Sequence, residues 1–248
     1  RHVSFRRFCV VFALWFCGAV TRVASAGLSD CFDSSGTSHE IWSPAVIIFL
    51  IVSGLFAALS YCQLHVCSGL EIAIDKFCLR FFQQADLTLG ISEWNVLQAM
   101  LRRSAHTIDS CFLALCTSVL AALLLTGAKI IQGAGPMDLA AEDGDMHFSA
   151  VLLYGWALAP AAMILYTVFQ AAAVTEKCGR VPALVNSWTF EDELQIDHEL
   201  QYVVQYITHS NAGFYVKGVR LTAFMALKLT YLFGVVLFTF ITQSILRG

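Results

Sequence analysis

Charged residues are scarce in this chain of 248 residues, since they make up only 13% of it. A soluble domain usually carries about 25% charged residues, so this scarcity argues against a water-soluble protein. Only four prolines and sixteen glycines occur, which excludes a collagen-like or low-complexity chain. The net charge of -3 provides no basic excess to neutralise phosphates, which argues against a nucleic-acid partner. With 58% hydrophobic residues, the remaining class is an integral membrane protein.

Motifs for catalysis and metal binding are also missing. No nucleophile elbow, zinc-protease motif, phosphate-binding loop or dinucleotide fingerprint occurs, and the seven histidines are scattered. The nine cysteines show no paired zinc-site spacing. Cys62, His65 and Cys67 come closest to a metal cluster, but no fourth ligand is evident. The sequence therefore predicts no enzyme, no catalytic residue, no cofactor and no metal.

The most prominent feature of the sequence is a set of long apolar runs. A helix needs about 20 mostly apolar residues to cross a bilayer. Lys228 interrupts the last run, and a lysine is costly at the bilayer centre, so that span should start after it. The clear predicted spans are 43–66, 110–131, 148–173 and 229–246.

The N-terminal segment has two interpretations. Its 13 apolar residues at 8–20 follow three arginines and precede the small residues Ala24-Ser25-Ala26, as in a cleavable secretory signal. Alternatively, residues 8–26 form a retained span, with the Arg22 side chain reaching outward to the polar headgroups. The chain starts at arginine rather than methionine, so we expect further sequence upstream, which favours the retained span.

The distribution of lysine and arginine predicts the orientation. Residues 27–42 and 132–147 contain neither, and the second range carries four acids. Most basic residues instead lie before residue 8, between 68 and 108, and between 174 and 220. Because loops rich in lysine and arginine stay in the cytoplasm, this alternation predicts five spans, with a cytoplasmic N-terminus and a C-terminus on the other side. We expect the membrane to be the plasma membrane, so that the C-terminus is extracellular.

The cytoplasmic segments, about 70–108 and 174–228, are themselves predicted to be helical. Apolar residues recur at helical spacing along each segment, which indicates one buried face. These stripes are Ile74, Phe77, Cys78, Phe81 and Phe82; Trp94, Leu97 and Leu101; and Leu200, Val203, Val204 and Ile207. The fold class is therefore an all-α multi-pass bundle, a single transmembrane domain over 1–248, whose helices extend into the cytoplasm.

Capping and helix-breaking residues predict where the helices begin and end. Ser92 is a plausible N-cap for the helix containing Trp94. Gly179 and Pro182 should break the helix that continues from the fourth span, and Thr189 should cap the helix that follows. Lys217 and Arg220 are expected to lie in the same helix as Lys228.

A proline inside the fourth span predicts a ligand pocket. Pro160 removes the amide that would pair with Trp156, so it should kink the helix and open space beside Trp156 and Tyr154. A packing kink with no ligand is the alternative.

The stretch NAGFYVKGVRLTAFMALKLTYLFGVVLF resembles the final helix of the insect gustatory and odorant receptor superfamily. It contains a Gly-Phe turn, an amphipathic approach, Thr230-Tyr231, five hydrophobic residues, and Leu237-Phe238. The family's glutamine is replaced here by Leu237. In layout, the five spans would correspond to the third through seventh helices of that family, with two more upstream.

The resemblance implies a homo- or hetero-tetrameric chemoreceptor channel. It would conduct cations, open on binding a small molecule, and line one pore with four copies of the last helix, while contacting membrane lipid on its outside. The predicted pore and gate residues are Thr230, Tyr231, Phe233, Leu237, Phe238 and Ile241, of which Thr230, Phe233, Leu237 and Ile241 share one helical face. A ring of leucines at Leu237 would close the pore by excluding water.

Two other function classes remain open from the sequence. One is a non-conducting adaptor or structural protein with four spans and a cleaved signal. The other is a transporter, although no inverted repeat is apparent. Recording currents from the protein in a foreign cell would distinguish these classes.

Overall fold

The computed structural model describes residues 2–32, 44–84, 86–131, 146–187 and 194–247. These residues form six helices and a two-stranded antiparallel hairpin. In chain order, the elements are α1 (His2–Phe32), α2 (Pro44–Gln84), α3 (Leu87–Ile131), α4 (Met146–Asn186), α5 (Leu194–His209), β1 (Tyr215–Val216), β2 (Val219–Arg220) and α6 (Ala223–Arg247). The predicted all-α class is confirmed.

Four of these helices are long and apolar enough to cross a membrane. By length and composition, the candidate spans among the described residues are Phe5–Ala24, Val46–Gln83, Leu87–Ala128 and Leu158–Asn186. The apolar part of α6, Ala223–Thr239, is shorter. Four of the five predicted spans therefore have a helix of suitable length, and the fifth falls in α6.

The chain divides into two compact units. Unit 1 contains Arg1–Cys62, Ala114–Tyr166 and Lys228–Gly248. Unit 2 contains Gln63–Leu113 and Thr167–Leu227. The predicted membrane boundaries that lie next to these divisions are at 66, 110, 173 and 229. Each division between the units lies within seven residues of one of them.

In unit 1, α1 packs against both α2 and α4. A Cβ added to Gly18 would lie 2.9 Å from the Cβ of Ala159, so the two helices approach closely at these small residues. The indole Nε1 of Trp15 donates a hydrogen bond to the Ser53 hydroxyl of α2 at 3.2 Å. The α1 segment is therefore an integrated helix of unit 1, and it runs beyond the predicted boundary at residue 26 to Phe32.

Unit 2 has a core built from the predicted apolar stripes. Ile74, Phe77 and Phe81 of α2 are buried, as are Trp94, Leu97 and Leu101 of α3 and Leu200, Val203 and Ile207 of α5. Trp94 is fully buried, its ring lies 5.3 Å from that of Phe77, and its Nε1 donates to the Ser210 hydroxyl at 2.9 Å. The helical spacing therefore predicted most of the buried faces of these three helices, although Cys78, Phe82 and Val204 are only partly buried.

The predicted helix break at Gly179 and Pro182 is wrong. The α4 helix continues through both residues to Asn186. Val181 and Val185 are both buried in unit 2, on either side of the proline. Their packing stabilises the helix against the loss of one backbone hydrogen bond, which explains why the proline does not terminate it.

The helix containing Trp94 begins earlier than predicted, because Asp86 rather than Ser92 caps it. The Asp86 carboxylate accepts hydrogen bonds from the Thr88 and Leu89 amides at 3.0 and 3.1 Å and from the Thr88 hydroxyl at 2.7 Å. This is the geometry of an N-cap followed by the first turn of α3. The second predicted cap, Thr189, lies outside the described residues.

The Asp86 cap predicts a pH-dependent contribution to stability. The hydrogen bond from the Thr88 hydroxyl, followed by that from the Leu89 amide, lowers the pKa of the Asp86 carboxyl below its usual value. The cap therefore stabilises the fold fully above the unfolded-state pKa and less as the pH falls through the folded-state pKa. We expect Asp86→Ala to lower the thermal midpoint of the purified protein at pH 7, and the deficit to shrink towards pH 3.

Asp86→Asn is the control for this prediction, because asparagine also caps helices but does not titrate. The thermal midpoint of this variant at pH 7 should lie close to that of the wild type. The stability that its cap contributes should not change with pH. An Asp86→Ala deficit that stays constant between pH 7 and pH 3 would contradict the assignment.

Candidate functional site in the hairpin and the last helix

The segment before α6 is a tight β-hairpin and not the predicted helix. Tyr215 pairs with Arg220 and Val216 pairs with Val219. The two residues at the tip, Lys217 and Gly218, have φ angles of 49° and 79°. Positive φ at both central residues is the mark of a type I′ turn, which matches the twist of the strands that it joins. Lys217 and Arg220 thus belong to the hairpin, and only Lys228 lies in α6.

An ion pair holds the hairpin tip against α3. The Lys217 Nζ lies 3.3 Å from the Asp109 Oδ2 and donates to the Ser110 hydroxyl at 3.2 Å. Asp109 is only 8% exposed, and a carboxylate so little exposed to water needs a charged or hydrogen-bonding partner. The same contact helps to hold Lys217 in a backbone conformation that is uncommon for residues other than glycine.

The base of the hairpin is fixed to α4. The Phe214 amide donates to the Thr175 hydroxyl at 2.9 Å, and both residues are buried. A Cβ added to Gly213 would lie 3.0 Å from both Thr175 Cγ2 and Arg220 Nε, so a larger residue would force this contact apart. The Arg220 guanidinium also donates to the Ala212 carbonyl at 3.0 Å. Together, these contacts fix the backbone on both sides of the hairpin.

The hairpin in turn sets the start of α6. The Leu221 amide donates to the Phe214 carbonyl at 2.9 Å. The Thr222 hydroxyl accepts from the Met225 amide at 3.4 Å, and its carbonyl accepts from the Ala226 amide at 3.0 Å. Thr222 is therefore the N-cap of α6, placed directly after the hairpin.

Two faces of α6 differ sharply in exposure. Phe233 is 4% exposed and packs within unit 1, whereas Tyr231 and Phe238 are 75% and 70% exposed. Gly234 lies on the same side as these two aromatics, and a Cβ added there would meet nothing within 4 Å. The exposed face of α6 is therefore defined here as Tyr231, Gly234 and Phe238.

The predicted pore residues do not all lie on that exposed face. Leu237 is half-buried between the two faces and Thr230 is partly exposed, while Phe233 points into unit 1. The side chain of Ile241 lies outside the part of the chain that the structure describes. Of the predicted set, Tyr231 and Phe238 are thus the residues presented outward.

The predicted ligand pocket contains one well-placed aromatic residue. The Trp156 ring lies 5.5 Å from the Phe49 ring in an edge-to-face arrangement, and the Arg22 guanidinium sits 6.0 Å from the ring centroid of Trp156. Pro160 is half-buried in the continuous α4 helix. The side chain of Tyr154 lies outside the described residues. Among the described side chains, Trp156 contacts Phe49 and Arg22.

The sequence pattern alone did not identify the Asp109–Lys217 contact. Two local signals were present: an acid immediately before an apolar run, and Lys217-Gly218 flanked by the valines Val216 and Val219. The second signal is typical of a tight hairpin, in which strand-favouring residues surround a turn containing glycine. Only the folded chain brings Asp109 within reach of a residue more than a hundred positions away.

Comparisons with family models, curated proteins and solved structures found no match to this chain. The resemblance of the last helix to the gustatory and odorant receptors therefore stays a prediction.

Proposed function

We propose that this chain is a subunit of a chemoreceptor-like, ligand-gated cation channel in the plasma membrane. Four copies, or this chain with related subunits, would surround one pore lined by α6. The observation that carries the proposal is the exposed face of α6, which in the isolated chain presents Tyr231, Gly234 and Phe238 to its surroundings.

A comparison with α1 supports water, rather than lipid alone, as the environment of this face. The exposed aromatics of α1 are all phenylalanines: Phe5, Phe8, Phe12 and Phe16. The outward side of α6 instead carries the Tyr231 hydroxyl and the exposed Thr239 among its apolar groups. The Thr239 hydroxyl donates to the Val235 carbonyl of the same helix at 2.8 Å, which leaves the Tyr231 hydroxyl as a polar group on this side that would help to hydrate a narrow water path.

The location in the membrane rests on the candidate spans and the basic residues. Four long apolar helices, together with the lysine- and arginine-poor ranges 27–42 and 132–147, support five crossings with the N-terminus in the cytoplasm and the C-terminus outside. The close approach of Gly18 to Ala159 supports retention of α1 as the first of these crossings.

The contacts of the hairpin offer a route from α3 and α4 to the pore helix. Asp109 and Thr175 hold the two ends of the hairpin, which leads directly into Thr222 at the start of α6. A ligand that favours one arrangement of α3 and α4 would bias the position of α6 through these contacts.

Leu237→Gln tests this function in whole cells. Because a polar ring keeps water in a constriction, we expect the variant to raise the basal cation current or to lower the ligand concentration needed for activation. Leu232→Gln, on a different side of the same helix, is the matched control and should leave the basal current unchanged. Labelling of the surface protein would confirm that both variants reach the membrane in equal amounts.

The contrary result is a Leu237→Gln protein that reaches the surface normally and passes the same basal current as the wild type. It would exclude Leu237 as the gate. Absence of any current from the wild type, with normal surface labelling and across a panel of small-molecule ligands, would instead favour the non-conducting adaptor.

A further inference from the structure

A groove in unit 2 combines an apolar wall with two cationic side chains. It lies between α2 and α4 and has a volume of about 480 Å³. Ile74, Val181 and Leu184 form its apolar wall. Leu184 is exposed, while Ile74 and Val181 belong to the core beneath it. The groove is thus built on rigid helical backbone.

The polar side of the groove carries an excess of positive charge. Lys177 and Arg180, one turn apart on α4, face the single carboxylate of Asp75. The Lys177 Nζ donates to the Asp75 Oδ2 at 2.6 Å and to the Glu71 carbonyl at 3.5 Å. Arg180 is exposed and makes no ion pair with a residue that the structure describes. One cation is therefore partly neutralised, and the other is available to an anion.

We propose that this groove binds the phosphate-bearing headgroup of an anionic membrane phospholipid. The Arg180 guanidinium would bind the phosphate through paired hydrogen bonds, and Lys177 would add a second positive charge beside it. The first acyl carbons would lie against the apolar wall formed by Ile74, Val181 and Leu184. A free phosphate would use the cations alone, whereas a lipid uses both sides of the groove, so the lipid is the better fit.

The position of the groove along the chain agrees with this ligand. The apolar candidate span Leu158–Asn186 contains both cations near its end, and the predicted membrane boundary in α4 lies at residue 173. Basic pockets between helices on the cytoplasmic side are suited to anionic headgroups, which concentrate in that leaflet. The inference therefore rests on the proposed membrane orientation, but it does not require conduction.

The Asp75 carboxylate lowers the affinity of the groove for an anion. The Asp75 carboxylate competes with the phosphate for Lys177, and it also repels the phosphate. Removing the negative charge of Asp75 should therefore strengthen anion binding. Removing a cationic side chain from the groove should therefore weaken lipid binding, whereas removing the Asp75 charge should strengthen it. A general change in protein stability would not produce this pattern.

The test uses the purified full-length chain in a neutral detergent. The probe is dioctanoyl phosphatidylinositol 4-phosphate, and bound lipid is measured by native mass spectrometry. Inorganic phosphate and dioctanoyl phosphatidylcholine serve as the headgroup-only and neutral-lipid comparisons. We expect binding of the anionic lipid, weak binding of inorganic phosphate, and no specific binding of the neutral lipid.

Three variants complete the experiment. Arg180→Gln should weaken binding about tenfold, as expected for loss of one charge-assisted contact. Asp75→Asn should tighten binding. Arg103→Gln, an exposed arginine of α3 outside the groove, should leave it unchanged. Because Arg180 is exposed, its substitution should not disturb folding, and an unchanged thermal midpoint will verify this.

Two results would overturn the proposal. One is equal binding of the anionic lipid by the wild type and Arg180→Gln. The other is binding of inorganic phosphate as tight as that of the lipid, which would assign a soluble anion to the site. Since no current is measured, a failure of the channel proposal would leave a positive binding result intact, and a failure of lipid binding would leave the pore proposal untouched.

Discussion

Trp94→Ala is expected to lower the free energy of unfolding by about 3–5 kcal/mol, the usual cost of truncating a buried large aromatic residue. The Trp94 side chain is fully buried, packs against Phe77 and donates to Ser210, so its removal leaves a large cavity and breaks one hydrogen bond. The Ser210 hydroxyl keeps its hydrogen bond to the Ile207 carbonyl at 2.6 Å. Unfolding would be followed by titrating the purified protein in mixed micelles with sodium dodecyl sulfate.

Two control variants separate packing from hydrogen bonding. Trp94→Phe keeps a ring but loses the indole donor, so it should lower the free energy of unfolding by less than Trp94→Ala does. About 1 kcal/mol of its loss should come from the missing hydrogen bond. Val96→Ala removes an exposed side chain from the same helix and should change stability by less than about 0.5 kcal/mol. A Trp94→Ala protein as stable as Val96→Ala would show that the core of unit 2 is described wrongly.

Gly18→Leu is expected to disrupt the folding of unit 1. Even a Cβ at this position would lie 2.9 Å from the Ala159 Cβ, so the smaller change Gly18→Ala should already cost about 1–3 kcal/mol through overpacking. Gly69→Ala is the matched control, because a Cβ there meets nothing within 4 Å, and replacing a mid-helix glycine should stabilise the protein by up to about 1 kcal/mol.

The same variant distinguishes the two interpretations of the N-terminus. A retained α1 remains in the folded protein, so Gly18→Leu should reduce the yield of folded protein on gel filtration. A cleaved signal would be absent from the mature chain, and a more hydrophobic signal would not alter it. A mature protein that lacks residues 1–26 and is unaffected by Gly18→Leu would contradict the retained span.

Much of the helical fold could be predicted from the sequence, because the spacing of apolar residues that indicates a helix is a local pattern. Stripes such as Ile74 with Phe77 and Trp94 with Leu97 repeat at helical spacing, and the structure buries these residues. The long continuous helices α2 and α3 follow from such stripes running past the predicted membrane boundary.

Two of the incorrect predictions, the helix break at Pro182 and the helix in place of the hairpin, share a different physical cause. Pro182 is tolerated in α4 because the neighbouring valines are buried, and the hairpin exists because Asp109 and Thr175 contact it from distant positions. With only two residues in each strand, the hairpin is too short to give the alternating pattern that predicts a strand. Such contacts appear only after folding, so no window of sequence contains them.

The exposed face of α6 could be predicted only in part. The spacing placed Phe233 and Leu237 on one predicted pore face, but it could not tell which side of the helix packs within the chain. Leucine, phenylalanine and valine suit a lipid, a neighbouring subunit and a hydrophobic gate equally well. Burial shows that Phe233 packs within the chain and that Tyr231 and Phe238 do not.

The most direct test of the proposed pore compares the water exposure of two phenylalanines. Phe238 lies near the middle of the predicted span 229–246, and Phe16 lies near the middle of 8–26; both are exposed in the isolated chain, at 70% and 56%. Each would be changed to cysteine in a background in which the nine native cysteines are replaced by alanine. The rate of modification by a membrane-impermeant thiol reagent would then be measured in intact cells.

The thiolate is the reactive form of cysteine, and it forms in water but not in lipid. If α6 lines a water path, Phe238→Cys should react rapidly once the channel is opened by ligand, whereas Phe16→Cys, facing the acyl chains, should remain unmodified. Equal protection of both cysteines, in protein that reaches the cell surface and under every ligand tested, would contradict the proposal that the last helix lines a pore.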